Sequence, residues 1–210
     1  MVDFSNRNEA ERWFRGQSRE VCIAMAVRMA LRVFPLCAPY ILVNPSSRSD
    51  VFILPILRAL APPFVAGIWP TRGGEVRSAA FAAVPVARAA VLDAAKAAPV
   101  RAEADAAAAA AAFAAVASKA AATTTAAIEA GVTAAALCRV PLWPDTIPDK
   151  IAEDWSRLSD LLLDLDPNWS VWTEWYDDRL RGTDNPRSRP LIEELEEERA
   201  LIPDEDWGKG

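Results

Sequence analysis

The amino-acid sequence predicts an all-α protein, an irregular multi-helix bundle, and three observations support this fold class. Residues 79–136 contain 32 alanines, and alanine has the lowest free-energy cost of any residue in a helix. Glycine is scarce, with 8 in 210 residues, and the 16 prolines act mainly as punctuation between apolar stretches. Apolar residues recur at helical spacing on both sides of the alanine-rich region, so we expect about seven to nine helices around an alanine-rich helical hairpin.

Capping residues and prolines predict the helices of the N-terminal part. A serine that can cap a helix precedes each of the first two, and the second is apolar nearly all round, which indicates a helix buried inside a bundle. Pro62-Pro63 is expected to separate the third helix from a short fourth one. The predicted helices of this part cover residues 6–15, 19–34 and 50–60, followed by a short segment at 63–69 that could add a fourth.

The alanine-rich region and the C-terminal part are also predicted to be helical. Glycine is expected to end two of these helices, at Gly131 and Gly182. Leucines of the C-terminal helices, among them Leu165 and Leu195, are expected to point inward. A proline-rich stretch over 140–147 predicts a boundary, with a helical bundle over 1–140 and a Trp-rich acidic subdomain over 141–210, unless both pack as one domain. The predicted helices cover residues 75–98, 99–130, 133–138, 148–165, 166–181 and 190–201.

Charge is distributed unevenly along the chain. Residues 1–90 carry 11 arginines and 6 acids, a net charge of +5, whereas residues 141–210 carry 8 basic and 19 acidic groups, a net charge of −11. Basic and acidic surfaces could therefore face each other within the fold or in a dimer, or the basic part could bind an anionic partner. The overall charge of −6 argues against nucleic-acid binding.

Missing residue types exclude several classes of enzyme. The chain has no histidine, so it cannot build a Ser–His–Asp or Cys–His site, and three scattered cysteines do not form a zinc site. We expect neither a metal nor another cofactor, and no catalytic residue. Two groups of carboxylates, one at Glu174, Asp177 and Asp178 and one at Asp160 and Asp164, could bind a divalent ion, but the arginines around them favour surface ion pairing.

The cysteines and the hydropathy pattern indicate the cellular compartment in which the chain is expected. Without a Cys-x-x-Cys pair, the cysteines are expected to be buried, inert thiols in a reducing cytoplasm. The longest uncharged run, residues 33–47, contains prolines and is shorter than the roughly 20 apolar residues of a membrane-spanning helix. We therefore expect no transmembrane segment.

Two groups of residues are candidates for a binding site. The first is an aromatic segment whose helical spacing predicts either a buried seam that packs onto Trp155 or an exposed face that docks a partner. The second is a pair of arginines one turn apart, Arg28 and Arg32, which either reach the rim and pair with acids or form an anion pocket. The residues of the aromatic segment are Trp169, Trp172, Trp175, Tyr176 and Arg179.

The same aromatic segment, Trp172-x-x-Trp175-Tyr176-x-x-Arg179-Leu180-x-Gly182, carries a resemblance. Together with Asn8-Glu9-Ala10-x-x-Trp13 and the alanine-rich region, it resembles a group of uncharacterised bacterial proteins, some of which continue beyond the position of Trp207. The resemblance implies no activity and no catalytic residue.

Composition and motifs together favour a non-catalytic helical module that interacts with a protein partner or with copies of itself, or that has a regulatory role. The alternative is peripheral binding to a membrane or lipid surface through the apolar, arginine-bearing N-terminal helices.

Overall fold

The structure, a computed structural model, describes residues 6–42, 53–69, 124–143, 145–182 and 193–202. Helix accounts for 83% of these residues and no strand occurs among them, which confirms the predicted all-α class. Short 3-10 helices, Phe34–Cys37 and Pro167–Trp169, lie before α3 and α7. The α-helices are α1 (Arg7–Arg15), α2 (Arg19–Val33), α3 (Ala38–Leu42), α4 (Leu54–Ile68), α5 (Ala134–Arg139), α6 (Asp149–Leu165), α7 (Ser170–Arg181) and α8 (Glu193–Leu201).

Most of the predicted alanine-rich hairpin lies outside the described residues, as do residues 183–192 and 203–210. The C-terminal end of the hairpin is described. Residues 124–129 are helical, and Gly131, at a φ of +86°, follows them as the sequence predicts. Thr133 then caps α5, because its side chain accepts a hydrogen bond from the N–H of Ala136 at 3.2 Å.

Capping side chains begin the first two helices. Ser18 caps α2 as predicted, accepting a hydrogen bond from the N–H of Val21 at 3.3 Å. Helix α1 is capped by Asn6, whose side chain accepts hydrogen bonds from the N–H groups of Asn8 and Glu9, instead of by the neighbouring serine. Both caps satisfy N–H groups that have no partner inside the helix.

The predicted break at Pro62-Pro63 is wrong, because α4 runs through both prolines. Each interior proline removes a backbone hydrogen bond and costs about 3 kcal/mol or more. Burial offsets this cost, since α4 places large apolar side chains in the core both before and after the prolines. The fully or almost fully buried ones are Leu57, Phe64, Val65 and Ile68.

The hydrophobic core forms where α2, α4 and α5 pack together and where α6 covers α3 and the 3-10 helix before it. Contacts cross the predicted boundary at residue 140. The ring centroids of Phe34 and Trp155 lie 6.2 Å apart, and those of Phe64 and Trp175 lie 5.7 Å apart. Helix α8 also packs against α4. Described residues from both sides of the boundary therefore belong to one hydrophobic cluster.

Candidate functional site

The aromatic segment lies on α7 and on the 3-10 helix before it. Asp166 begins this 3-10 helix, because its side chain accepts a hydrogen bond from the N–H of Asn168 at 2.8 Å. Helical spacing then directs the aromatic side chains and one arginine into the core, where none is more than 7% exposed. The side chains concerned are those of Trp169, Trp172, Trp175, Tyr176 and Arg179.

Tyr176 is central to the ring contacts of this segment and is fully buried. Its ring centroid lies 4.2 Å from that of Trp155 on α6 and 5.4 Å from that of Phe34. Its hydroxyl donates a hydrogen bond to the carbonyl oxygen of Leu31 at 2.8 Å. Burial raises the pKa of Tyr176 well above its ordinary value, so the phenol stays neutral and joins α7 to α2.

The exposed aromatic face considered from the sequence is therefore not what the structure shows. A docking face needs accessible side chains, and all five side chains of this segment are buried within the chain itself. The packing interpretation agrees with the contacts, since α7 meets Trp155 through its rings. Nε1 of Trp155 also donates a hydrogen bond to Asp177 at 3.0 Å.

A buried ionic junction, formed by Glu196, Arg179, Arg199 and Trp175, connects α8 to α7. Glu196 accepts a hydrogen bond from Nε1 of Trp175 at 2.8 Å, and its other oxygen lies 3.1 Å from Arg199 and 3.5 Å from Arg179. One carboxylate facing two guanidinium groups offsets the cost of burying these charges. Sequence reasoning missed Glu196, because an acidic run such as 193–198 is typical of a solvated surface.

Arg179 also lies against aromatic rings in this junction. Its guanidinium carbon is 4.7 Å from the ring centroid of Phe64 on α4. Burial lowers the pKa of Arg179, while the charges of Glu196 and Asp178 act in the opposite direction. A guanidinium enclosed by rings and a carboxylate stabilises the packing of α7 against α4 and α8.

Arg28 and Arg32 lie one turn apart on α2, and both are buried. Arg32 donates to the carbonyl oxygen of Leu142 through Nε and to Oγ1 of Thr124 at 2.9 Å. Its guanidinium lies 5.2 Å from the ring centroid of Trp143. Arg28 donates hydrogen bonds only to backbone carbonyl oxygens, those of Leu137, Val140 (3.0 Å), Pro141 (2.6 Å) and Leu142 (3.2 Å).

Arg28 thus caps the end of α5 from the side, while Arg32 bonds to Leu142 in the segment that follows this helix. The last carbonyl groups of a helix have no partner inside it, and those at the end of α5 and just beyond face Arg28. Burial lowers the pKa of Arg28 to about 10 and that of Arg32 to about 9. Both stay protonated at neutral pH, because the carbonyl dipoles favour the charged form and guanidinium is a very weak acid.

The expectation that these arginines reach the rim is wrong, since Arg28 is 3% and Arg32 is 1% exposed. In the anion-pocket alternative, the guanidinium groups of Arg28 and Arg32 would donate hydrogen bonds to an anion from outside the chain. The structure directs the donors of Arg28 at carbonyl oxygens of its own chain. The pair therefore acts as an internal clamp between α2 and the segment that follows α5.

The surroundings of the cysteines and of the carboxylates on α7 indicate structural roles for these groups. The three cysteines are free, and burial raises the pKa of Cys37 to about 12 and that of Cys138 to about 11, which makes both poor nucleophiles. Asp177 lies 3.6 Å from Arg181, in line with surface ion pairing on α7. Among the described residues, no three or more Cys, Asp or Glu side chains form a group that could hold a metal ion.

Acids and exposed apolar side chains occur together where α6 meets α7. Leu163, Leu165 and Val171 are 38%, 41% and 50% exposed. The exposed acids Asp160 and Asp164 precede and separate them, and the sequence has no Arg or Lys between Arg157 and Arg179. We call this surface the acidic corner; it consists of Asp160, Leu163, Asp164, Leu165, Asp166 and Val171.

Sequence reasoning identified Asp160 and Asp164 as a carboxylate pair, but it did not expect apolar side chains to be exposed beside them, because it directed Leu165 inward. Leu165 occupies the last position of α6, and it is 41% exposed. Leu195 on α8 is likewise 52% exposed although it was expected in the core. Which leucines are exposed depends on how the helices pack, so the local sequence pattern alone does not predict it.

Comparison with models of protein families, with curated protein sequences and with solved structures finds no match to this chain. The resemblance to uncharacterised bacterial proteins therefore assigns no functional residue. No helix in the described part of the chain is both long and apolar enough to cross a membrane. The contacts and exposed surfaces described above are the basis for a functional proposal.

Proposed function

We propose that this chain is a non-catalytic helical module with an interaction or regulatory role, which binds a protein partner through the acidic corner. The observation that carries this proposal is the exposure of Leu163, Leu165 and Val171 within nine consecutive residues that also carry Asp164 and Asp166. Leu163 shares one face of α6 with Asp160 and Asp164, and an exposed apolar side chain bordered by polar residues is typical of interaction sites.

The charges of the acidic corner suggest what kind of partner it takes. Acids without intervening bases favour a basic partner surface, because complementary charges speed association and exclude partners of like charge. The apolar side chains would supply affinity once water leaves the contact. Free thiols and a very weakly nucleophilic Cys37 support a role in a reducing compartment such as the bacterial cytoplasm.

Three described groups that could perform chemistry form contacts inside the fold instead. Arg28 donates to carbonyl oxygens, Arg179 faces Glu196, and Tyr176 donates to Leu31. Each of these contacts joins two helices, so a change of any one of them would affect folding first. This use of the ionisable side chains supports a non-catalytic role.

The test compares partners recovered from host cells by the tagged full chain after chemical cross-linking. The variant Asp160→Lys/Asp164→Lys reverses two charges of the acidic corner. The matched control, Glu129→Lys/Asp145→Lys, reverses two exposed acids elsewhere. We expect at least one protein, a second copy of the chain included, to be recovered with the wild type and the control and lost with the corner variant.

Two results would contradict the proposal. One is that no recovered protein depends on the acidic corner. The other is flotation of the chain with anionic vesicles in a manner that the corner variant does not change, which would favour the lipid-surface alternative. That alternative requires exposed apolar faces on the N-terminal helices, but in α2 and α4 every apolar side chain except that of Ala26 is buried or partly buried.

A further inference from the structure

The first turn after α1 and the end of α1 itself expose basic side chains. Arg12, Arg15 and Arg19 are exposed, and the side chain of Arg15 is 82% exposed. Arg15 lies 3.6 Å from Glu11, so part of its charge is compensated, whereas no ion pair within the described residues involves Arg12 or Arg19. We call these three arginines the basic end of α1.

The acidic corner has the complementary composition. Asp160, Leu163 and Asp164 are spaced by three and four residues, which places them on one face of α6. Within the described part of the chain neither aspartate enters an ion pair. Arg157 is exposed on the same side one turn earlier and marks the end of the acidic surface.

We propose that the acidic corner of one copy of this chain binds the basic end of α1 of a second copy. The inference rests on the proposed function and identifies the partner. Both surfaces are exposed on the same protomer, and no ion pair between described residues joins them. Each is thus available to the opposite surface of another molecule. The net charge of the chain follows the same pattern, since its N-terminal part is basic and its C-terminal part is acidic.

Symmetry determines what such a contact produces. In a two-fold pair, the basic end of each protomer reaches the acidic corner of the other, so the contact occurs twice and the assembly closes. Exposed ion pairs are individually weak and are screened by salt. The pair is therefore a dimer that dissociates as salt concentration rises.

The first measurement is the mass of the full chain in solution, by light scattering and sedimentation equilibrium over a range of concentrations. We expect a monomer–dimer equilibrium at low salt that shifts to monomer at about 0.5 M salt. The dissociation constant of the dimer should rise at least tenfold when Asp160→Lys/Asp164→Lys reverses charges of the acidic corner. It should also rise at least tenfold when Arg12→Glu/Arg19→Glu reverses charges of the basic end of α1. Glu129→Lys/Asp145→Lys should leave it within twofold.

The second measurement mixes the two reversed variants. The corner variant then presents two basic surfaces and the helix variant two acidic ones. We therefore expect a mixed dimer although each variant alone is monomeric. Recovery in the mixture also shows that neither variant lost association by unfolding. Circular dichroism of each variant, unchanged from the wild type, provides an independent check.

A wild type that is monomeric at every soluble concentration, or reversed variants that fail to associate when mixed, would overturn the inference. If in addition cross-linking recovers a different protein that depends on the acidic corner, the proposed function stands and only the identity of the partner is wrong. If no protein depends on the corner, both fail.

Discussion

Arg28 shows how a charged residue can be essential to a fold without forming an ion pair. Its guanidinium donates to carbonyl oxygens that the end of α5 leaves without partners. The sequence predicts that Arg28 and Arg32 share a helix face, because they are spaced by four residues. It cannot predict their partners, since backbone oxygens more than a hundred residues away have no signature in the sequence.

Replacing Arg28 by methionine tests this role. We expect Arg28→Met to lower the free energy of unfolding by about 3–5 kcal/mol, because several buried carbonyl groups lose their donor at once. Arg28→Lys should recover part of the loss, since an ammonium group can reach fewer of these oxygens.

Urea denaturation followed by circular dichroism measures this effect. The control is Arg157→Met, an exposed arginine on α6, which should change the free energy of unfolding by less than about 0.5 kcal/mol. An Arg28→Met variant that matches Arg157→Met would show that the clamp does not stabilise the fold.

Helix ends are the part of the fold that the sequence predicts best. Ser18, Thr133 and Gly182 act where the local sequence places them, because caps involve atoms only a few residues apart. Pro62-Pro63 does not end a helix as the local sequence predicts, because burial against other helices stabilises α4 through both prolines. Local chemistry predicts element ends, but it does not predict where packing overrides a strong local preference.

The end of α7 provides a test at the level of elements. Gly182 has a φ of +76°, and a Cβ atom there would lie 2.5 Å from Cδ of Pro141, closer than real contacts allow. The N–H of Leu142 donates to the carbonyl oxygen of Arg179 at 3.2 Å, so the segment 141–142 lies directly against the end of α7. An added methyl group must push these two parts of the chain apart.

Gly131→Ala is a matched control for Gly182→Ala. Gly131 has a φ of +86°, but no atom of the described residues other than its chain neighbours lies within 4 Å of the position of a Cβ. Gly131→Ala should therefore cost only the positive φ, about 1–2 kcal/mol. Gly182→Ala should cost at least about 2 kcal/mol more, since it adds a clash with backbone and ring atoms. Equal losses in urea denaturation would show that α7 and segment 141–142 separate freely.

At the scale of the molecule, the sequence predicts the composition of the candidate site better than its location. It identifies an aromatic segment and an acidic C-terminal part, and both exist. Which side faces water depends on the packing of α7 onto α6 and α4, which no local pattern specifies. The aromatic residues therefore lie in the core, while Leu163, Leu165 and Val171 lie at the surface with Asp160 and Asp164.

The stability of the whole molecule should depend on alkaline pH through its buried thiols. Burial raises the pKa of Cys37 from its ordinary value of 9.0 to about 12 and that of Cys138 to about 11. Above pH 9 the unfolded chain loses these protons while the folded chain keeps them. The unfolded state then binds fewer protons, so the free energy of unfolding falls as pH rises through this window.

We expect wild-type protein, kept reduced, to lose up to about 2 kcal/mol per buried thiol between pH 8 and about pH 10.5, because each pKa unit corresponds to about 1.4 kcal/mol. Cys37→Ala and Cys138→Ala should each weaken this dependence while lowering stability at pH 8. Cys22→Ala is the comparison, since Cys22 lies in the first turn of α2, where desolvation raises the pKa of its thiol less, so that it should contribute less. Urea denaturation at several pH values measures all four proteins. A dependence that is the same in wild type and in Cys37→Ala would mean that this thiol is not enclosed by the core in solution.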